Sequence, residues 1–177
     1  TIADLPVDAK INTAQMFEFE AGEKTTTITT LSRHETTDYF IFVTKNGMIK
    51  KTESSEYIQK RGKSLKAINL KDEDEVVNVM FVNNEKVGIL TNNGNYATLD
   101  TTEINAIGRA TAGVKAIKLS NDDYVIDSKK IKNNDKYFIT LSKNGLIKKS
   151  NIEEFPVCSR AIKGKKISDI RENDKII

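Results

Sequence analysis

Apolar and polar positions along the chain fall into a pattern that repeats. Tyr39-Phe40-Ile41-Phe42-Val43-Thr44 is broken by Asn46-Gly47 and resumes as Met48-Ile49-Lys50-Lys51-Thr52. Val87-Gly88-Ile89-Leu90-Thr91 is broken by Asn93-Gly94 and resumes as Asn95-Tyr96-Ala97-Thr98, and Tyr137-Phe138-Ile139-Thr140-Leu141 is broken by Asn144-Gly145 and resumes as Leu146-Ile147-Lys148-Lys149-Ser150. A β-branched and aromatic run, an Asn-Gly pair and a second short run signal a β-hairpin, with a type I′ turn that needs φ > 0 at both central residues. Three hairpins are predicted, their turn glycines 47 and 51 residues apart.

A second landmark follows each hairpin. An apolar residue is succeeded four positions on by an acidic one, just before another strand-like run: Leu70 and Asp74 before Val76-Val77-Asn78-Val79, Leu119 and Asp123 before Tyr124-Val125-Ile126, Ile170 and Asp174 before Ile176-Ile177. A step of 51 residues back from the first of these reaches Phe19 and Glu23, ahead of Thr25-Thr26-Thr27-Ile28-Thr29, which marks a fourth, incomplete copy. The repeats are placed at 1–36 (partial), 37–83, 84–133 and 134–177 of one unit spanning 1–177. The chain thus starts inside one repeat and stops inside another, as a piece of a longer array does, and its terminal residues are expected to be less ordered.

A period near 50 residues with about four short strands per unit matches the blades of a propeller-like array, in which each blade packs its face on the next. The expected class is all-β, with roughly four blades. Helical periodicity is not evident, and Asp100–Ile107 has room for no more than a short turn of helix because of its β-branched residues.

Composition narrows the function. The sequence has 177 residues, 38% hydrophobic and 30% charged, with two prolines, which suits one packed domain. It has no apolar run of membrane-spanning length and no signal-peptide profile at Thr1–Pro6, so a cytoplasmic protein is the expectation and a membrane partner is not. Cys158 is the single cysteine and His34 the single histidine, which excludes an intramolecular disulfide and a Cys/His zinc site.

Net charge is +3 overall but uneven. Residues 1–36 carry 3 basic and 6 acidic side chains, residues 37–128 carry 12 and 13, and residues 129–177 carry 13 and 6. Between hairpin and acidic landmark, every complete repeat holds a basic segment with a glycine: Gln59–Lys66, Gly108–Lys115 and Ser159–Lys166. Gly62, Gly113 and Gly164 are each 51 apart, which points to a positive-φ turn or a close backbone approach.

Any one of these lysines is most simply a solubilising loop residue. Three clusters in register, with Lys50-Lys51 and Lys148-Lys149 after two of the turns, are better explained by an extended polyanion. The second repeat departs, with Ala97-Thr98 in place of the lysine pair. The candidate contacts for such a polyanion are Lys50, Lys51, Arg61, Lys63, Arg109, Lys115, Lys148, Lys149, Arg160, Lys163, Lys165 and Lys166.

The order of strand, Thr-x-x-Gly-x-x-Lys-Lys-Thr, Glu-Tyr or Glu-Phe, basic glycine segment and Ala-Ile-x-Leu-x-x-x-Asp resembles the repeats in the C-terminal domain of the gyrase A protein and in its topoisomerase IV counterpart. Ile107–Ile117 and Glu154–Arg160 are especially similar to late blades of that domain, and the resemblance covers residues 37–177 well and 11–36 weakly. It implies a β-pinwheel whose blades exchange strands and whose basic outer rim wraps duplex DNA, serving a type IIA topoisomerase whose strand passage it directs. It also implies that ATP and Mg belong to other parts of the enzyme, and that this piece has no catalytic residues and no cofactor of its own. The implied partners are double-stranded DNA, the remainder of the A protein and the ATPase B protein.

In gyrase the first blade carries a Gln-Arg-Arg-Gly-Gly-Lys-Gly box, which Gln59-Lys60-Arg61-Gly62-Lys63 matches in part. The resemblance therefore leaves both gyrase and topoisomerase IV open. A propeller-like protein-interaction module is the competing class. An enzyme or metal site built on Asp72-Glu73-Asp74-Glu75 or Asp122-Asp123 is the weakest reading, because their place before a strand makes them turn residues. Tyr96 and Tyr124, in strand-like runs, are assigned to structure, and no phosphate-binding loop or nucleophile motif is present.

Overall fold

The computed structural model describes residues 7–12, 19, 21–23, 25–28, 38–58, 65–71, 73–167, 170 and 174–177. Ten strands account for most of the regular structure among them. The first hairpin is β1 (Tyr39–Thr44) and β2 (Met48–Glu53), followed by a single helical turn, α1 (Ser55–Ile58), and by β3 (Val76–Val82). The second is β4 (Lys86–Thr91) and β5 (Asn95–Asp100), with a 3-10 turn at Thr101–Glu103, then β6 (Val114–Lys115) and β7 (Val125–Ile131). The third is β8 (Tyr137–Leu141) and β9 (Ile147–Asn151), a 3-10 turn at Ile152–Glu154 and β10 (Lys165–Lys166). The expected helical turn after Asp100 is thus present, with the Asp100 carboxylate accepting the Thr102 amide, and each of the three repeats has its counterpart.

Two antiparallel sheets have four strands each, in the orders β3-β1-β2-β6 and β10-β5-β4-β7. In both, the edge strand comes from the following repeat: β6 pairs Ile49 with Val114, and β10 pairs Tyr96 with Lys165. Each blade is therefore closed by its successor. The third hairpin adds an isolated antiparallel bridge from Ser142 to Ile176, in the place where Thr44 meets Val76 and Thr91 meets Val125. Residues 25–28 carry no strand, and most of the 1–36 copy lies outside the described residues.

The three turns are hairpin turns of a different type from the one expected. Only Gly47, Gly94 and Gly145 have positive φ (76°, 75° and 83°), and the preceding asparagines do not. The closing bonds run from the glycine N–H to Thr44 O, Thr91 O and Ser142 O at 3.0, 2.9 and 2.9 Å. That is a type I turn followed by a left-handed glycine, the three-residue hairpin loop. Its cause lies in two side chains. The hydroxyl of Thr44, Thr91 or Ser142 accepts the N–H that follows the glycine, at 3.1, 3.1 and 3.2 Å. The acidic landmark then takes the asparagine N–H: Asn46 donates to Asp74 Oδ1 at 2.9 Å, Asn93 to Asp123 at 3.1 Å and Asn144 to Asp174 at 3.1 Å.

The main core runs across the first two blades, with Ile41, Val43 and Ile49 packed with Val87, Ile89, Leu99, Ile117 and Val125. Residues of β1 are buried on both faces rather than alternately. Each such side chain contributes roughly 1.5–3 kcal/mol by leaving water. A second cluster joins the second blade to the third, where Tyr96 stacks on Phe138 with ring centroids 4.5 Å apart and Phe155 meets both rings edge-on. Tyr96 is thus a core residue, as expected, whereas Tyr124 precedes β7 and is exposed.

Candidate nucleic-acid interface

The basic segments are placed by strand exchange. Gly108–Lys115 and Ser159–Lys166 each end in the two-residue edge strand that closes the preceding blade, so their lysines follow that edge. The glycine makes the closure possible: a Cβ on Gly113 would stand 2.6 Å from Ile49 O, and one on Gly164 would stand 2.7 Å from Tyr96 O. Close approach is the reason at both positions, and Gly164 also has φ +78°.

The residues just after one segment are bonded to the next segment. Asn69 N–H donates to Thr111 O at 3.0 Å, and the same bond recurs one repeat later from Lys118 N–H to Ile162 O at 2.8 Å. Ala161 N–H donates to Ala116 O at 2.8 Å, and the Arg160 guanidinium to Lys115 O at 3.3 Å. The second and third segments thus lie side by side, and the stretch after the first adjoins the second.

On that edge Lys115, Arg160, Lys163, Lys165 and Lys166 are exposed, as are Lys148 and Lys149 on β9. Three of these amines are already engaged. Lys148 donates to Ile167 O, Lys165 donates to Glu154 O at 2.8 Å, and Lys149 lies over the Tyr137 ring at 4.0 Å. Arg109 is half-buried, its Nε 3.5 Å from Glu56 Oε2. Arg61 and Lys63 lie outside the described residues.

Lys50 and Lys51 do not stand on the open edge. Lys50 has 0% of its surface exposed and Lys51 6%. The Lys50 amine donates to Ala67 O at 2.6 Å and to Arg109 O, and lies against the Phe42 ring. Lys51 donates to Thr101 O at 2.9 Å and covers Tyr39 at 4.1 Å. Neither amine has surface to offer a phosphate in this structure, because the following repeat folds over β2. Burial pushes the Lys50 amine down to about 8, with Arg109 acting in the same direction and Glu56 against it. Burial lowers Lys51 as well, partly offset by Asp100.

Lys118 was not singled out by its local charge, yet it is exposed and sits at the junction of two segments. Its signal is positional: it fills the variable place of the Ala-Ile-x-Leu stretch, between the basic segment and the acidic landmark.

The acidic landmark carboxylates are tied to the hairpin turns. The Asp123 carboxylate is buried and accepts from Thr91 Oγ1, Asn93 N–H and Asn95 Nδ2. Among the described residues no group of three His, Cys, Asp or Glu is placed to hold a metal, and no helix is long and apolar enough to cross a membrane. Cys158 is half-buried with its thiol on Thr98 O, and burial raises its pKa.

The arrangement has known counterparts. A family model described as DNA gyrase C-terminal domain, beta-propeller, matches residues 38–83, 88–132 and 136–177. The topoisomerase 4 A protein of Bacillus subtilis is 38% identical over 128 residues, which is 71% of this chain and 16% of that protein. The DNA gyrase A protein of Ureaplasma parvum is 31% identical over 157 residues, 88% of this chain and 18% of that protein. Among solved structures, the C-terminal domain of DNA topoisomerase IV superposes with a TM-score of 0.84 at 31% identity, over 92% of this chain and 52% of that one. The gyrase A C-terminal domain has the same fold, with a TM-score of 0.79 at 24% identity over 92% and 55%. The chain therefore spans under a fifth of these curated relatives and about half of the solved domains.

Proposed function

Because the chain belongs to the DNA gyrase C-terminal domain family, we propose that it binds and bends duplex DNA along its basic edge, as a non-catalytic accessory domain in the A protein of a type IIA topoisomerase. The observation that supports this reading is the bonding of the Gly108–Lys118 stretch to Ser159–Lys166, which brings the exposed Lys115, Lys118 and Arg160 together at one blade seam. In the parent enzyme such a surface presents a DNA segment to the cleavage core, while ATP is used by the B protein.

The physics is neutralisation of the phosphate backbone. The cations sit on loops and short strands, and among the described residues no helix is long enough to enter a groove, so they meet phosphates before bases. Bending a site of ~20–30 base pairs by ~40–90° costs on the order of 1–6 kcal/mol, so one cluster is not enough and contacts from several blades must offset it. Lys115, Lys118, Arg160, Lys163 and Lys166 are exposed and carry the main burden, with Lys148, Lys149 and Lys165 beside them and the half-buried Arg109 as one further contact at the seam.

The 38% identity to a topoisomerase IV A protein and the TM-score of 0.84 with a topoisomerase IV domain support that enzyme as the parent, over gyrase. Fluorescence anisotropy on a short linear duplex of two unrelated sequences tests the binding itself. The expected log-log salt slope is about −5 to −7 for five to eight phosphate contacts, equal for both sequences. Absence of binding at low salt, or a flat slope, leaves a protein-interaction module as the better reading.

A further inference from the structure

We infer that Lys50 is a positioning residue for DNA binding: its amine ties the backbone just after one basic segment to that of the next segment and so fixes where Arg109 stands, without itself touching DNA. The inference rests on the DNA-binding reading above.

A buried ammonium is costly unless its protons are satisfied. Lys50 has three donors. One goes to Ala67 O, in the first repeat, and one to Arg109 O, in the second, while the amine also lies against the Phe42 ring. The two carbonyls belong to loops of different blades, so the amine is a bridge across the seam. Arg109 is held at its other end as well, since its Nε faces Glu56 Oε2 on the α1 turn that follows β2. One hairpin and the turn after it thus grip Arg109 by its main chain and by its guanidinium.

The molecule contains its own comparison. Lys50 faces Phe42 across the first hairpin, and Ala97 faces Ile89 at the same place in the second. Without an amine there, the two loops close directly through Ala161 N–H and Ala116 O. Arg160, the counterpart of Arg109, is then exposed rather than half-buried. Where the amine is present the arginine is held half-buried beside Glu56, and where it is absent the arginine is exposed, with its guanidinium on Lys115 O. In the third hairpin Lys148 again donates to the matching carbonyl, Ile167 O.

The test is a double-mutant cycle on the whole chain, with Lys50→Met, Arg109→Ala and the pair, reading duplex affinity, salt slope and thermal unfolding. Lys50→Met is expected to weaken binding about five- to tenfold near 0.1 M salt and to lower the slope by about one, the value of one phosphate contact. Adding it to Arg109→Ala is expected to change neither further. Additive losses would mean that Lys50 meets DNA on its own, and a lower melting temperature with unchanged affinity and slope would mean a purely structural amine; either overturns the inference. If Lys50→Met does not fold, Lys50→Gln, which keeps two donor protons without the charge, is read in the same cycle and by the same criteria. Failure of the wild-type chain to bind DNA at low salt strikes the functional reading instead, and is told apart by needing no variant.

Discussion

The carboxylate of Asp123 accepts the main-chain N–H of Asn93 at 3.1 Å from thirty residues away. It joins the loop that ends one repeat's long connection to the hairpin turn of the same blade, and Asp74 with Asn46 and Asp174 with Asn144 make the same join. The hairpin turn and the entry to the third strand are therefore locked together by a single side chain, which explains why an acidic residue recurs before each of those strands.

Asp123→Ala should be among the most damaging polar substitutions in the chain. It leaves the Thr91 hydroxyl, the Asn93 amide and the Asn95 amide without their acceptor in a buried site, for a loss of about 2–4 kcal/mol in urea unfolding. Asp74→Ala removes a more exposed carboxylate and should cost less, since water can replace the acceptor. Equal losses at the two positions would count against the burial argument.

The glycines at the blade seams make a second, separable prediction. Gly113→Ala drives a methyl group to 2.6 Å from Ile49 O and must part β6 from β2, at a cost of about 1–3 kcal/mol. Gly164→Ala meets Tyr96 O at 2.7 Å and also carries a left-handed backbone, which adds roughly 1–2 kcal/mol. Thermal unfolding should rank Gly164→Ala below Gly113→Ala, and the reverse order would show that the clash, not the backbone, dominates.

Lys50 sets a pH dependence with a definite sign. Its pKa in the folded chain is about 8, below the ordinary 10.5, so between those values the unfolded chain holds more protons and stability rises with pH. Relative to Lys50→Met, the wild-type chain should gain about 1–2 kcal/mol between about pH 7.5 and 9.5. Tyr96 works the other way. Burial pushes it up to about 12, so the folded chain keeps a proton the unfolded chain loses above pH 10, and stability falls there. That loss is common to both proteins and cancels in the comparison. A wild-type chain that loses ground to Lys50→Met over this window would contradict the placement of the amine.

The repeat, the hairpins, the acidic landmark and the seam glycines were legible because each depends on spacing within one repeat. The turn type was not, since the same Asn-Gly pair serves both a type I′ turn and a type I turn with a left-handed glycine. What goes with the second is the Thr91 hydroxyl together with a carboxylate thirty residues from the turn, Asp123 for the second hairpin. Burial of Lys50 and Lys51 was equally hidden. A lysine pair beside a turn has the local pattern of a solvated edge, and only the following repeat, which lays Val114-Lys115 along β2 and brings Arg109 O onto the amine, removes it from solvent. Lys118 was missed for the opposite reason: it lies outside the charge run but next to it in space.

The central claim is that the edge formed by successive basic segments meets the DNA backbone. The measurement that tests it most directly compares two charge-matched variants in duplex binding across a salt series. Lys163→Ala with Lys166→Ala removes two exposed cations at the β10 edge, and Lys129→Ala with Lys132→Ala removes two at and just beyond β7, the opposite edge of the same sheet. The account predicts that the first pair lowers the steepness of the log-log salt slope by about two while the second leaves it nearly unchanged. Equal losses from the two pairs, or a slope indifferent to Lys163 and Lys166, would contradict it.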